Sequence, residues 1–220
     1  MGRESPAIGG AAAPARGATR RVDSSAMARL AVGFREHAGW AVAVVLEDAS
    51  PLPRVVDRLR LALCPGDLPR EVHHAAAQLD PDSARALVTA VAEASADATR
   101  SAIEDLVARN GRNLGRAGVP ISDSSVASSS TATRKAHTMM HAAEGQLYRE
   151  GLAEGCARAG LRVHRFSRGG LTSLASDALG RTTAELSAAI DSMGKVLGPP
   201  WARDQKDAAL CAWLALLIEP

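Results

Sequence analysis

Aromatic residues are scarce in this sequence: phenylalanine, tryptophan and tyrosine together make up only 3% of its 220 residues. Hydrophobic residues still reach 46%, so alanine, valine and leucine must fill the core, and we expect helices that pack through small side chains. The length is sufficient for one domain with a proper core, together with a tail.

Cysteine is also rare, and neither sign of charge dominates. Cys64, Cys156 and Cys211 lie far apart, without a C-x-x-C pair, which argues against structural zinc and against a disulfide framework. This use of cysteine favours the reducing cytoplasm as the location of the protein. The formal net charge of +2 gives no strong attraction to nucleic acid or to a membrane.

Long apolar runs are missing as well. No stretch of about 18 apolar residues occurs, so we expect neither a membrane-spanning helix nor a membrane partner. Residues 1–26 contain hardly any bulky apolar side chain and are predicted to form a disordered tail. Met27 begins a segment that reads like a natural start, which makes an over-extended start codon our preferred explanation of the tail, with a transit peptide as the weaker one. The folded domain is then predicted to comprise residues 27–220.

The residues after Met27 predict a specific order of strands and helices. A continuous apolar run at 39–47 is typical of a strand buried on both faces, and the alternation at 54–64 is typical of an antiparallel strand near a sheet edge. Asp80-Pro81 is a helix start signal, and Asn110-Gly111 is a stop signal. The full prediction comprises strands at 30–36, 39–47, 54–64, 119–123 and 161–166, a linker at 65–79, and helices at 81–110, 134–159, 171–179, 183–197 and 200–218.

This order, β-β-β-α-β-α-β-α, resembles that of ribonuclease H-like proteins, and three segments resemble RuvC-type resolvases. Residues 30–45 resemble their opening hairpin, residues 144–151 their central helix, and Asp204-Gln-Lys-Asp207-Ala208 their closing D-x-x-D-A motif. The chain is also similar to a group of uncharacterised bacterial proteins through its Glu-His-Ala-Gly-Trp, His-Ala-Ala-Glu-Gly and Leu-Gly-Pro-Pro-Trp segments. The resemblance covers roughly residues 30 to 217 and implies an α/β fold with a five-stranded mixed sheet flanked by helices.

The resemblance further implies a nuclease that cleaves nucleic acid phosphodiesters with Mg²⁺ or Mn²⁺. In such an enzyme, converging carboxylates hold two ions, one generating a hydroxide and the other stabilising the leaving oxygen. The candidate catalytic residues are Glu36, Asp123, Asp204 and Asp207, of which Glu36, Asp204 and Asp207 are the candidate metal ligands. Nucleic acid is the expected partner, together with a second copy of the chain as a homodimer.

Each of these acids also has an ordinary structural explanation. Asp204 and Asp207 are one helical turn apart, so both can face the same metal, but acids near a helix start also favour the helix dipole. Asp123 can simply begin a turn.

The first strand departs from the family pattern, because Arg35 falls on the position of the principal metal ligand. Glu36 is the next residue, but adjacent strand residues point to opposite faces, so only a bulge or the strand end turns Glu36 inward. The alternative function is therefore a catalytically degenerate binding or scaffold module. In that case we expect the Arg35 guanidinium to pair with the remaining acids.

Two further groups are candidates for binding. His137, His141 and Glu144 have the i, i+4, i+7 spacing of one helix face and can bind Zn²⁺ or another transition metal, although ordinary polar contacts are the preferred explanation. His73-His74 is expected in a surface loop. The remaining candidates are the nucleic-acid-binding arginines around the last strand, which are also explained as charges on an exposed face: Arg162, Arg165 and Arg168.

Overall fold

The computed structural model describes residues 29–110, 114–122 and 132–218, with the side chains of 110 and 132–137 outside that description. Five strands form one mixed sheet in the order β3-β2-β1-β4-β5. The strands are β1 Leu30–His37, β2 Trp40–Glu47, β3 Arg54–Ala62, β4 Leu114–Ile121 and β5 Arg162–Ser167. The helices are α1 Val72–Ala76, α2 Pro81–Asn110, α3 Ala132–Arg158, α4 Leu171–Leu179, α5 Thr183–Gly194 and α6 Arg203–Leu217.

The sheet confirms the predicted fold class. β1 is central, pairing antiparallel with β2 through a tight turn at Gly39, whose φ is +76°, and parallel with β4 on its other side. β3 lies at the edge and pairs antiparallel with β2, whereas β5 pairs parallel with β4. Three antiparallel strands followed by two helical crossovers to parallel strands are the ribonuclease H-like arrangement. None of the helices in the described ranges is long and apolar enough to cross a membrane.

Two predicted elements are corrected by the structure. β4 begins already at Leu114 rather than at Val119, because Gly115 and Gly118 have low strand propensity and hide its start. The segment 65–79 is not only a linker, since it contains helix α1. A helix of 5 residues is too short to show a helical period in the sequence.

Alternate side chains of β1 face two different helical layers. Val32 and Phe34 belong to a core with residues of α2 and α3, whereas Ala31 belongs to a second core that is dominated by α6. By this alternation Arg35 lies on the α6 side of the sheet and Glu36 on the α3 side. The first strand therefore presents its two charged residues to two different helices.

Paired glycines bring α6 directly onto the central strands. Gly33 of β1 and Gly118 of β4 are register partners. A Cβ atom on Gly33 would lie 2.0 Å from the carbonyl oxygen of Ala208, and one on Gly118 would lie 2.2 Å from that of Cys211. Only glycine allows this approach, which places the first turn of α6 beside the end of β1.

Candidate functional site

An open groove lies at the carboxyl ends of β1, β4 and β5. It consists of two adjoining clefts of about 470 and 490 Å³, and Arg35, Ser122 and Arg168 line both of them. The strand ends meet here because the carboxyl ends of parallel strands lie at the same edge of a sheet. We call the first the α6 cleft, because Arg203 and Asp207 line it, and the second the α3 cleft, because residues of α3 line it.

The guanidinium of Arg35 lies among the acids that were predicted as metal ligands. Its Nε atom is 3.4 Å from Asp207 Oδ2 and 3.8 Å from Asp204 Oδ1, while its Nη1 atom is 3.4 Å from Glu36 Oε2. The Nη1 atom also donates a 2.8 Å hydrogen bond to the Glu36 carbonyl, which turns the guanidinium over the end of the strand. We call these four residues the arginine-filled cluster.

Glu36 is buried and has a second cationic partner on the opposite side of the sheet. Arg149 of α3, itself buried, donates a 2.9 Å hydrogen bond to Glu36 Oε1, and Arg168 Nη1 lies 3.7 Å from the same oxygen. Among the described residues, Glu36 is therefore linked to the acids of α6 through Arg35. β1 continues without a bulge from Ala31 to its end, so Glu36 stays on the α3 side of the sheet, away from Asp204 and Asp207.

His37 is a groove residue that was not predicted. Its Nε2 atom lies 3.0 Å from Asp204 Oδ2, and its ring stacks on Trp40 with centroids 4.0 Å apart. The guanidinium of Arg60 covers the Trp40 ring, also at 4.0 Å. No sequence motif gives these contacts, because they depend on the hairpin turn and on the position of α6.

The pKa of Asp207 depends on its burial and on the charged groups around it. Burial raises the pKa of Asp207 above its ordinary value, and the guanidinium groups of Arg35, Arg203 and Arg168 oppose that rise. Asp204 adds a further rise in the pKa of Asp207, since two carboxylates close together repel each other.

A second group of potential ligands lies beside the α3 cleft, which two of its members, His141 and Glu144, line. Glu144 is only 2% exposed, and its two oxygens lie 2.7 Å from His74 Nδ1 and 3.2 Å from His141 Nδ1. The hydrogen bond that the His74 ring donates to the Glu144 carboxylate raises the pKa of His74 above its ordinary value. We call His74, His141 and Glu144 the His–Glu group. The expectation of His74 in a plain surface loop is wrong, because the short helix α1 brings it against α3.

The remaining predicted residues have different positions. Asp123 lies outside the described residues, as does the side chain of His137. Arg165 pairs with Glu150 through two contacts of 2.8 and 2.7 Å. Arg162 begins β5 at the end of the strand away from the groove, so Arg168 is the only one of the three candidate arginines that lines the groove in the described part of the chain.

Comparison with known proteins gives matches among solved structures only. No family model matches the sequence, and a search of curated proteins gives no match. Among solved structures, the Thermus thermophilus RuvC structure matches with a TM-score of 0.48 at 9% identity, over 86% of this chain and 93% of that one. T. thermophilus RuvC in complex with a Holliday junction substrate matches with the same values. The assignment of this chain to the ribonuclease H-like fold rests on the strand order and connections described above.

Proposed function

We propose that this protein is a ribonuclease H-like module that binds the phosphate groups of nucleic acid in the groove without a carboxylate-held metal pair. The observation that carries the proposal is the Arg35 guanidinium, which lies between Glu36 on one side and Asp204 and Asp207 on the other. We place this function in residues 27–220, and a homodimer stays a prediction.

The carboxylates of the arginine-filled cluster do not fit a Mg²⁺ or Mn²⁺ pair. Such ions need several oxygen ligands that are free to coordinate at about 2.0–2.2 Å. Here Glu36 is bonded to Arg149, Asp204 contacts His37, and both aspartates contact the Arg35 guanidinium. A cation at the centre of these acids would have to displace Arg35 and would meet its positive charge.

The groove instead offers cationic donors to an anion. Arg168 and Arg203 line the α6 cleft with side chains that are 44% and 85% exposed. Deeper in the groove, the buried guanidinium groups of Arg35 and Arg149 pair with carboxylates and add positive charge beneath the exposed arginines. Guanidinium groups bind phosphate oxygens through paired hydrogen bonds, so exposed and buried arginines along one groove suit a phosphodiester chain.

Nucleic acid binding tests the proposal. Fluorescence anisotropy would be measured in EDTA with labelled single-stranded, duplex and branched DNA and with RNA, over a range of salt concentrations. We expect Arg168→Gln with Arg203→Gln to weaken binding by about tenfold and to reduce the salt slope by about one for each phosphate group that is no longer bound. Equal binding by this double variant and the parent protein would refute the proposal.

A matched control removes the same charge elsewhere. Arg29 precedes β1 at the end away from the groove, and Arg100 lies in α2; their side chains are 43% and 38% exposed. We expect Arg29→Gln with Arg100→Gln to bind nucleic acid like the parent protein. An equal weakening in both double variants would show attraction by net charge alone and not by the groove.

A Mg²⁺- or Mn²⁺-dependent nuclease is the second candidate, because three carboxylates contact one guanidinium at the predicted place. We expect Mg²⁺ to leave the melting temperature of the parent protein unchanged and to raise that of Arg35→Gln. Without the guanidinium, the repulsion among the acids is relieved by a bound cation. Mn²⁺-dependent cleavage by the parent protein that is abolished in Asp207→Asn would establish the nuclease instead.

A further inference from the structure

The His–Glu group brings together three ligand types that transition metals prefer. His74 comes from α1, whereas His141 and Glu144 come from α3, so the group is formed by two elements far apart in sequence. One ligand atom from each residue can be chosen so that all three lie within 4.8 Å of one another. Imidazole nitrogen and carboxylate oxygen are common ligands of Zn²⁺, and a site with three protein ligands keeps a fourth position open.

The distances between the ligand atoms of the His–Glu group are close to those around a bound ion. Around a tetrahedral Zn²⁺, with bonds of about 2.0–2.1 Å, neighbouring ligand atoms lie about 3.4 Å apart. Both histidine Nδ1 atoms already lie at 2.7 and 3.2 Å from oxygens of Glu144. The two imidazole rings have centroids 4.8 Å apart, so modest rotations of the side chains would complete the site.

The charged partners of the Glu144 carboxylate in the described part of the chain are imidazoles. They are His74 and His141, and neither lysine nor arginine forms an ion pair with Glu144 there. Glu144 also accepts a 3.4 Å hydrogen bond from the backbone N–H of His74, which holds the carboxylate in place. A buried carboxylate needs a partner, and a metal ion can serve that purpose in place of a protonated imidazole.

We propose that His74, His141 and Glu144 bind one Zn²⁺-class transition metal ion, with the open coordination position facing the α3 cleft. His141 is half-exposed and supplies the solvent-facing side of the site. Arg149 and Arg168 line the same cleft, so an anionic oxygen can reach both the ion and the arginines. The ion also joins α1 to α3, because its ligands come from both helices.

Metal titration of the full chain tests the proposal. Zn²⁺ at a hundredfold excess over its dissociation constant should raise the melting temperature by roughly 5 to 10 °C, since it binds only the folded site. Calorimetric titration should give one ion per chain. His141→Gln and His74→Gln should each abolish both signals, and Mg²⁺ should not replace Zn²⁺.

His73→Gln is the matched control, because His73 is the neighbouring histidine of α1 and is not part of the group. It should keep the Zn²⁺ shift and the stoichiometry. A Zn²⁺ shift that persists in His74→Gln and in His141→Gln, or that disappears equally in His73→Gln, would overturn the proposal. Absence of any shift in a parent protein that is folded by circular dichroism would overturn it as well.

Replacement of Zn²⁺ by Co²⁺ identifies the ligands from the absorption spectrum, without a measurement of stability. A tetrahedral site of two nitrogens and a carboxylate should give visible absorption bands without the near-ultraviolet charge-transfer band of thiolate ligands. Cys64, Cys156 and Cys211 are buried, so thiolate bands would mean that the ion binds elsewhere and the proposal is wrong. These metal experiments use no nucleic acid, so their failure and the failure of phosphate binding are separate results.

Discussion

The carboxylates of the two charged clusters of the groove have different partners, arginine in one cluster and histidine in the other. In the arginine-filled cluster, Glu36, Asp204 and Asp207 each contact an arginine, and Asp204 also contacts His37. In the His–Glu group, one buried carboxylate contacts two imidazoles. The cluster with more acids is thus the less suitable one for a cation.

The difference shows that the partners of an acid, rather than the number of acids, decide whether a metal site exists. A guanidinium stays positively charged at all ordinary pH values, so it repels a metal ion that approaches the same carboxylates. An imidazole can lose its proton and then offer a lone pair to the ion. The following substitutions are chosen to break or sharpen this comparison.

The largest loss of stability is expected from Glu36→Gln. Glu36 and Arg149 are both 4% exposed and form a 2.9 Å ion pair, so removal of the carboxylate leaves buried guanidinium groups without a counter-charge. We expect the free energy of unfolding to fall by about 3 to 5 kcal/mol in urea denaturation. Glu150→Gln, which breaks the exposed pair with Arg165, should cost less than about 1 kcal/mol. Similar decreases in the two variants would contradict a structural role for the buried pair.

An intermediate loss of stability is expected from Gly33→Ala. The added Cβ would meet the backbone of α6 at 2.0 Å, so the helix must shift, at a cost of about 2 to 3 kcal/mol. Gly115→Ala is the control, because its Cβ would meet nothing within 4 Å, and it should stay within about 0.5 kcal/mol of the parent protein. Zn²⁺ should raise the melting temperature of Gly33→Ala as much as that of the parent protein, since no residue of the His–Glu group belongs to α6. Disappearance of that shift would mean that the two clusters are coupled.

The smallest effect is expected from Asp207→Asn. Because burial raises the pKa of Asp207, its ionised form is less favourable in the folded protein than in the unfolded chain. The protonated carboxyl of Asp207 therefore contributes stability to the folded protein. This contribution is complete below the pKa that Asp207 has in the unfolded chain, and it is lost as the pH rises through the pKa in the folded protein. At pH 7 we expect Asp207→Asn to raise the free energy of unfolding by less than about 1 kcal/mol, because burial of the carboxylate outweighs its pairing with Arg35. A large destabilisation at pH 7 would instead show that Arg35 depends on this carboxylate.

Parts of the site could be predicted because they depend on local spacing. Asp204 and Asp207 both reach Arg35, as expected of residues one helical turn apart. His141 and Glu144 contact each other for the same reason. His74 could not be assigned to that group, because its contact with Glu144 joins residues of two helices that the sequence does not relate.

The sequence by itself determined the order of the five strands and of the five longer helices, since hydrophobic periodicity and helix-ending residues are local properties of the chain; the short helix α1 was missed. The sequence also determined that arginine stands where the resemblance expects an acid. Only the tertiary structure decided what Arg35 does there, because its partners come from the end of β1 and from α6. The approach of α6 depends in turn on Gly33 and Gly118 lying side by side, and strand pairing alone brings them together.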